Sequence, residues 1–174
     1  MRLQEPLNSK NLTLLQLNVN DVSNKYLTWL NDADVTKFME VRHNPPNLEQ
    51  QIKFVEDCLN SDDKILLGIF ENKNGFIGTL KLTYIDNSNL EVGIMIGEKL
   101  FHGKGIGSES INVIISWAKS HNLLALHAGY DLRNIASRRL FESLGFSRLN
   151  QIKLSPSKQN SIIIERVVLP LNKL

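Results

Sequence analysis

Cysteine occurs once in the 174 residues, at position 58. A disulfide within the chain is therefore excluded, and so is a metal site built on several thiolates. Cys58 sits between Asp57 and Leu59 in a helical pattern, where a small side chain is expected to pack rather than react. An excess of one charge is lacking as well. Lys and Arg number 20 against 18 Asp and Glu, a formal +2. No basic stripe forms, which argues against a nucleic-acid partner. No apolar run reaches the length that crosses a bilayer, and the first ten residues hold no continuous apolar stretch of the kind a secretory signal needs. The expectation is a reducing, cytoplasmic setting with no membrane partner. His, Cys and carboxylates nowhere fall at metal-ligand spacing, so no metal is expected. Repeats and low-complexity tracts are also missing, and the length suits one domain, 1–174.

What is present is a clear alternation of strand and helix patterns. Residues 11–19 alternate loosely and predict a first strand. Asp21 is placed to cap a helix that carries Val22, Tyr26, Trp29 and Leu30 on one face. A short helical piece is expected over Val35–Met39. Residues 42–47 are expected to be a loop, because Pro45 and Pro46 forbid helix there. Asn47 caps a further helix, with Leu48, Ile52, Val55 and Leu59 at helical spacing. Strands follow at Lys64–Glu71, Phe76–Ile85 and Leu90–Ile96, with turns at 72–75 and 86–89 making an antiparallel meander. A long helix covers Ile106–His121, a buried strand Leu123–Tyr130, and a helix Asn134–Leu144 that Gly145 ends. Phe146–Leu154 and Ser161–Leu169 read as two last strands around a loop. This order predicts an α/β chain with a mostly antiparallel sheet and one parallel crossover, from the Leu90–Ile96 strand through the long helix to the Leu123–Tyr130 strand.

The run from Glu91 to Ser108 carries the most chemistry. A strand leads into Gly103, Gly105 and Gly107, which remove side chains where the chain must turn and where a ligand can touch backbone. The helix beyond presents free N–H groups and a partial positive charge. Together these make a receptor for a phosphate or pyrophosphate. Sites in such sheets lie at the carboxyl ends of strands whose connections part. A dinucleotide-binding dehydrogenase is excluded by the spacing of the last glycine and by the lack of room for two mononucleotide-binding halves.

His102-x-x-Gly105-x-Gly107 resembles the acetyl-CoA signature of the GCN5-related N-acetyltransferases (GNAT), whose first position is usually Gln or Arg. The run Asn134-x-x-Ser137-x-x-Leu140-x-x-x-Leu144-Gly145-Phe146 resembles that family's second cofactor motif. Both occur in the family's order, and the resemblance spans nearly the whole chain. It implies a GNAT-like fold in which a mixed, mostly antiparallel sheet is flanked by helices and two strands splay at the cofactor. Residues from about 90 to 146 would form the acetyl-CoA core, and helices from about 21 to 60 would lie on the acceptor side.

By the same resemblance, the backbone of Gly103, Lys104, Gly105, Ile106, Gly107 and Ser108 would hold the pyrophosphate, with Lys104 a phosphate contact and His102 nearby. Ile94, Met95 and Ile96 would pair with the pantetheine arm, and Asn134 and Ser137 would meet it from the next helix. Glu91 stands eleven residues before His102, as does the catalytic base of those relatives that carry one on this strand. Family strands carry a bulge that aims an N–H at the thioester oxygen; counting four residues on from the acid selects Met95. Many relatives carry Tyr as the acid where this chain has Phe141. Tyr130, at the end of its strand, is the substitute.

The activity implied is direct transfer of an acetyl group to a primary amine, which needs a base for the ammonium and a donor to the growing oxyanion. Trp29, Arg42 and His43 are the acceptor-side candidates. The segment 26–43 resembles relatives that acetylate amino-sugar nucleotides, aminoglycosides or ribosomal-protein N-termini. A small molecule such as an amino-sugar nucleotide leads. A polyamine would call for acids near this loop, where only Asp32, Asp34 and Glu40 stand. A homodimer is compatible with the sequence. A reading of another class is an acetyl-CoA sensor without catalysis, which Phe141 favours and Glu91 opposes.

Overall fold

The computed structural model describes residues 3, 5–154 and 163–171. Eight strands form one sheet in the order β1-β2-β3-β4-β5-β6-β8-β7. They are β1 Leu7–Asn8, β2 Leu12–Gln16, β3 Lys64–Glu71, β4 Gly75–Tyr84, β5 Asn89–Ile96, β6 Ala125–Asp131, β7 Ser147–Leu154 and β8 Ile163–Pro170. Four helices join them: α1 Asn24–Asn31, α2 Leu48–Leu59, α3 Ile106–Ser120 and α4 Ile135–Ser143. The short β1 precedes the first expected strand. Ser161 and the loop at 155–160 lie outside the described residues.

Local chemistry accounts for most boundaries. Ser23 caps α1 through the Tyr26 N–H, in place of Asp21, which instead closes a capping box with Asn18 around a 3-10 turn. Asn47 and Gln50 form the capping box that starts α2. The helical piece expected at Val35–Met39 is a series of turns. Asp32 accepts from the Asp34 and Val35 amides, and the Thr36 hydroxyl donates back to the Asp32 carbonyl. These side-chain bonds offer the backbone an alternative to helix. A 3-10 turn at Glu40–His43 falls in the expected loop.

The two faces of the sheet bury different cores. Alternate residues of β5 and β6, among them Leu90, Val92, Leu126, Ala128 and Tyr130, pack with Ile111, Ile114 and Phe141 of α3 and α4. On the opposite face a second core joins Tyr26, Trp29 and Leu30 of α1 to Val55 and Cys58 of α2, with Leu66 and Met95 from the sheet. Burial pushes the Cys58 thiol up from its ordinary value, which suits a packing residue. Trp29 packs against Phe76 with the rings tilted and 5.0 Å between their centres, and is 5% exposed. Its indole occupies the space that a Cβ at Gly97 would need. The start of the Gly97–Gly105 connection is thereby pressed against α1.

Gly97→Ala is expected to destabilise the fold by roughly 2 kcal/mol, because a methyl group would have to displace a packed indole. Urea unfolding followed by Trp fluorescence measures this; an unchanged midpoint would contradict the close approach.

Candidate active site

Strands β5 and β6 touch over three residue pairs only: Asn89 with Ala125, Leu90 with Leu126 and Glu91 with His127. Beyond them the strands diverge. The gap opens into a cavity of about 570 Å³. Gly93, Ile94 and Met95 line one wall, Gly129, Tyr130 and Asp131 the other. Asn134 and Ser137 of α4 close one end, and residues of α1, α2 and the 38–41 segment roof it.

The ladder decides which amides face the gap. The pairing of β4 with β5 keeps a constant register from Tyr84–Leu90 to Gly78–Ile96. In the same register the Gly97 N–H donates to the Ile77 carbonyl at 2.9 Å, and the Ile85 N–H to the Asn89 carbonyl at 2.9 Å. An antiparallel strand turns both backbone groups of alternate residues to the same neighbour. Gly93 and Met95 therefore spend theirs on β4, while Ile94 and Ile96 turn theirs to the gap. The four-residue count that selects Met95 assumes a bulge on β5, and the constant register contains none. The Ile96 carbonyl already has a partner, the His102 Nε2 at 2.7 Å. His102 thus ties the end of the gap strand to the glycine bend.

In that bend Gly103 and Gly105 have φ of +73° and +80°. A Cβ at either would meet no protein atom within 4 Å. Gly105 is the N-cap of α3 and offers no side-chain acceptor. The first-turn amides of the helix accordingly have no partner within it. Gly107 is closed in by Leu140 of α4, whose methyl a Cβ would meet at 3.3 Å. The bend is bare of packed side chains at Gly103 and Gly105, and its far side rests on α4. Lys104 is exposed beside it, its ammonium 5.7 Å from the centre of the Phe101 ring.

At the root of the gap, on the face that α1 and α2 cover, Glu91 meets Arg166 of β8 in a two-pronged ion pair of 2.6 and 2.9 Å. Arg166 reaches it by crossing β6 above Gly129; a Cβ there would meet the guanidinium at 3.1 Å. The pairing with Glu91 raises the Arg166 pKa further above its ordinary value. His127 lies at the same level, its pKa lowered first by burial and then by Arg166. The sequence reading missed Arg166: it is 75 positions from Glu91, and only the placement of β8 beside β6 brings it near.

Tyr130 is 4% exposed, and its hydroxyl is buried with no hydrogen-bond partner among the described residues. Burial, followed by Glu165, raises its pKa. Its ring stacks on Phe141 at 6.0 Å. Asn134 caps α4 by accepting from the Ser137 N–H at 3.1 Å, which leaves its amide nitrogen available at the cavity end. Asp131 is 2% exposed and held by Arg133, which bonds it through the backbone amide, Nε and Nη2 at 2.6–2.9 Å. That pairing keeps the Asp131 carboxyl below its usual range.

The acceptor-side candidates separate. Trp29 lies in the core and lines neither this cavity nor its neighbour. Arg42 and His43 line a second cleft of about 510 Å³ with Lys37, Phe38 and Arg133. Arg42 Nε donates to His43 Nε2 at 3.1 Å, and its Nη1 to the Lys37 carbonyl. Asp32 and Asp34 are both engaged by Lys99, at 2.7 and 2.8 Å. Arg138 pairs with Glu142 at 2.9 Å on the surface of α4. Among the described residues no cluster of His, Cys, Asp and Glu could hold a metal, and no helix is long and apolar enough to cross a membrane.

Known proteins share this arrangement. An uncharacterized protein of Methanocaldococcus jannaschii is 29% identical over 137 residues, covering 79% of this chain. The match spans 28% of that protein's length, so the chain corresponds to a part of it. An N-acetyltransferase 9-like protein of Caenorhabditis briggsae is 29% identical over 140 residues, covering 72% of this chain and 70% of its own. The structure of RimL, a ribosomal L7/L12 alpha-N-protein acetyltransferase in complex with coenzyme A, superposes with a TM-score of 0.82 at 17% identity, over 95% of this chain and 98% of that one. The last is a likeness of fold. The family model of the acetyltransferase (GNAT) domain matches residues 11–147. That span takes in the gap between β5 and β6, the glycine bend and α4, and the chain belongs to the GNAT acetyltransferases.

Proposed function

We propose that the chain moves an acetyl group from acetyl-CoA directly to the primary amine of a small molecule, such as an amino-sugar nucleotide. The observation that carries this reading is the opening between β5 and β6, where the backbone groups of Ile94 turn to a cavity next to the glycine bend. An extended arm can pair with Ile94 and with the Ile96 N–H along the strand, and the bend can hold a pyrophosphate at the start of α3. The Asn134 amide and Ser137 hydroxyl meet the arm from α4.

In the transfer, the amine nitrogen attacks the thioester carbonyl, the carbon–sulfur bond breaks, and the thiolate leaves. The Ile94 N–H donates to the oxygen as charge builds on it, a contribution of about 3 kcal/mol for one donor. Glu91 takes the ammonium proton. Three residues of extended strand separate it from Ile94, roughly 10 Å, so the proton travels through water. Arg166 fixes the Glu91 carboxylate at the mouth of that path. Tyr130, whose hydroxyl has no partner among the described residues, gives a proton to the thiolate and regains one that the attacking nitrogen sheds as the amide forms.

The acceptor enters beneath α1 and α2. A polyamine fits poorly here. Asp32 and Asp34, two of the acids near that side, are neutralised by Lys99, and the adjoining cleft is basic.

Gly105→Val is expected to abolish acetyl-CoA binding in a calorimetric titration. The added side chain points into space that is empty of protein and takes the place of the pyrophosphate; a thermal melt checks that the left-handed backbone still forms. Normal affinity would refute the bend as the phosphate receptor. For Glu91→Gln, kcat/KM with a responsive amine should fall about 10²-fold or more while acetyl-CoA affinity holds. An unchanged rate would remove Glu91 as the base. Tyr130→Phe should lower kcat more than it alters KM for acetyl-CoA, read by thiol release; equal kcat would leave the thiolate to depart without this proton.

A further inference from the structure

We propose that the cleft formed by Lys37, Arg42, His43 and Arg133 is a phosphate-reading subsite, and that the natural acceptor carries a phosphoryl group as well as its amine. This rests on the acetyl-transfer reading above and extends it to the class of acceptor.

The basic side chains converge from two distant parts of the chain. Lys37, Arg42 and His43 come from the turns after α1, and Arg133 from the link between β6 and α4. Arg42 lies close enough to Asp131 to help lower its pKa, although 89 positions separate them. Asp131 offsets only part of the charge. Arg133 straps it with one edge of its guanidinium and remains 58% exposed. Arg42 is held by the His43 ring through Nε and by the Lys37 carbonyl through Nη1, which leaves Nη2 without a partner in these two bonds. Lys37 holds its ammonium 5.4 Å from the Phe38 ring centre. Two guanidinium groups and an ammonium around one concavity match the charge and geometry of a phosphate.

Position relates this cleft to the transfer. Phe38 lines both it and the cavity between β5 and β6, and Arg133 is two residues from Asp131 of the cavity wall. A molecule bound across Phe38 can place an anionic group in the cleft and an amine in the cavity. The cleft lies past the end of β6, on the acceptor side. The glycine bend at the start of α3 supplies a separate receptor for the cofactor's pyrophosphate. At about 510 Å³ the cleft has room for a phosphoryl group and part of what it is joined to.

The test uses the full chain and the variant Lys37→Gln/Arg42→Gln, which leaves the Arg133–Asp131 pair intact. Inorganic pyrophosphate is titrated calorimetrically into protein saturated with CoA, so that the glycine bend is already filled. Binding by the native chain, weakened tenfold or more in the variant, is expected, with acetyl-CoA affinity of the variant unchanged. No binding to the native chain, or equal binding to both, overturns the proposal. A matching loss of acetyl-CoA affinity also overturns it, because the cleft would then serve the cofactor's own phosphates. Failure of the acetyl-transfer reading shows separately, as absence of acetyl-CoA binding to the native chain. Thiol release with glucosamine 6-phosphate and glucosamine gives a second readout. The phosphorylated amine should be favoured at least tenfold in kcat/KM, and the variant should bring the ratio near one. A ratio near one in the native chain would count against the subsite.

Discussion

Everything at the site follows from how briefly β5 and β6 touch. Three residue pairs hold the strands parallel, and then each goes its own way. Had the ladder continued, the Ile94 and Ile96 backbone groups would bond β6 and nothing else could use them. The interruption leaves strand-like hydrogen-bonding groups facing a cavity, an arrangement that is costly unless a ligand or water completes it. The flanking apolar cores keep it open. Leu90, Val92, Leu126 and Ala128 pin the closed end against α3, while α4 holds the other wall through Phe141 and Tyr130.

Charge is arranged around this opening with equal economy. Glu91 and Asp131 each lie on a diverging strand, and each is met by an arginine: Arg166, from β8, across the root, and Arg133, two residues beyond Asp131, at the mouth. The two differ in consequence. Asp131 is buried and must be neutralised to be tolerated, so Arg133 has a structural duty besides facing solvent. Glu91 stays partly open to solvent, so its pairing orients a charge that remains usable. Gly129 eases the first of these crossings, since a Cβ there would press on the Ile164 methyl at 3.0 Å and the guanidinium at 3.1 Å.

The sequence disclosed those parts of the site that are local. Three alternate glycines between a strand and a helix, and an Asn three residues before a Ser at a helix start, can be read without knowing what lies opposite. Both became the cavity end and the bend. What depended on register could not be read. The phase of β5 against β4 sets which amides are free, and no residue type announces it, so a count along the strand selected Met95 where the register turns Ile94 to the gap. Arg166 and Arg133 are ordinary arginines until β8 and the β6–α4 link bring them to their partners. Trp29 showed the opposite difficulty. A large aromatic near the acceptor segment suggests a ligand contact, yet the missing side chain at Gly97 draws it into the core. At Val35–Met39, helical spacing of apolar residues was overridden by Asp32 and Thr36 bonding the backbone.

The sheet order has a consequence for how the molecule comes to be made. β8 lies between β6 and β7, although it follows both in the chain. During synthesis β7 emerges with no neighbour to join, and β6 keeps a bare edge until β8 arrives and slots between them. Such late, long-range closure slows folding and leaves an exposed strand edge open to other chains. Arg166 comes with that last strand, so the carboxylate's clamp and the sheet's final seam are completed in one event. A half-made chain can form its glycine bend but leaves Glu91 without the arginine that fixes it.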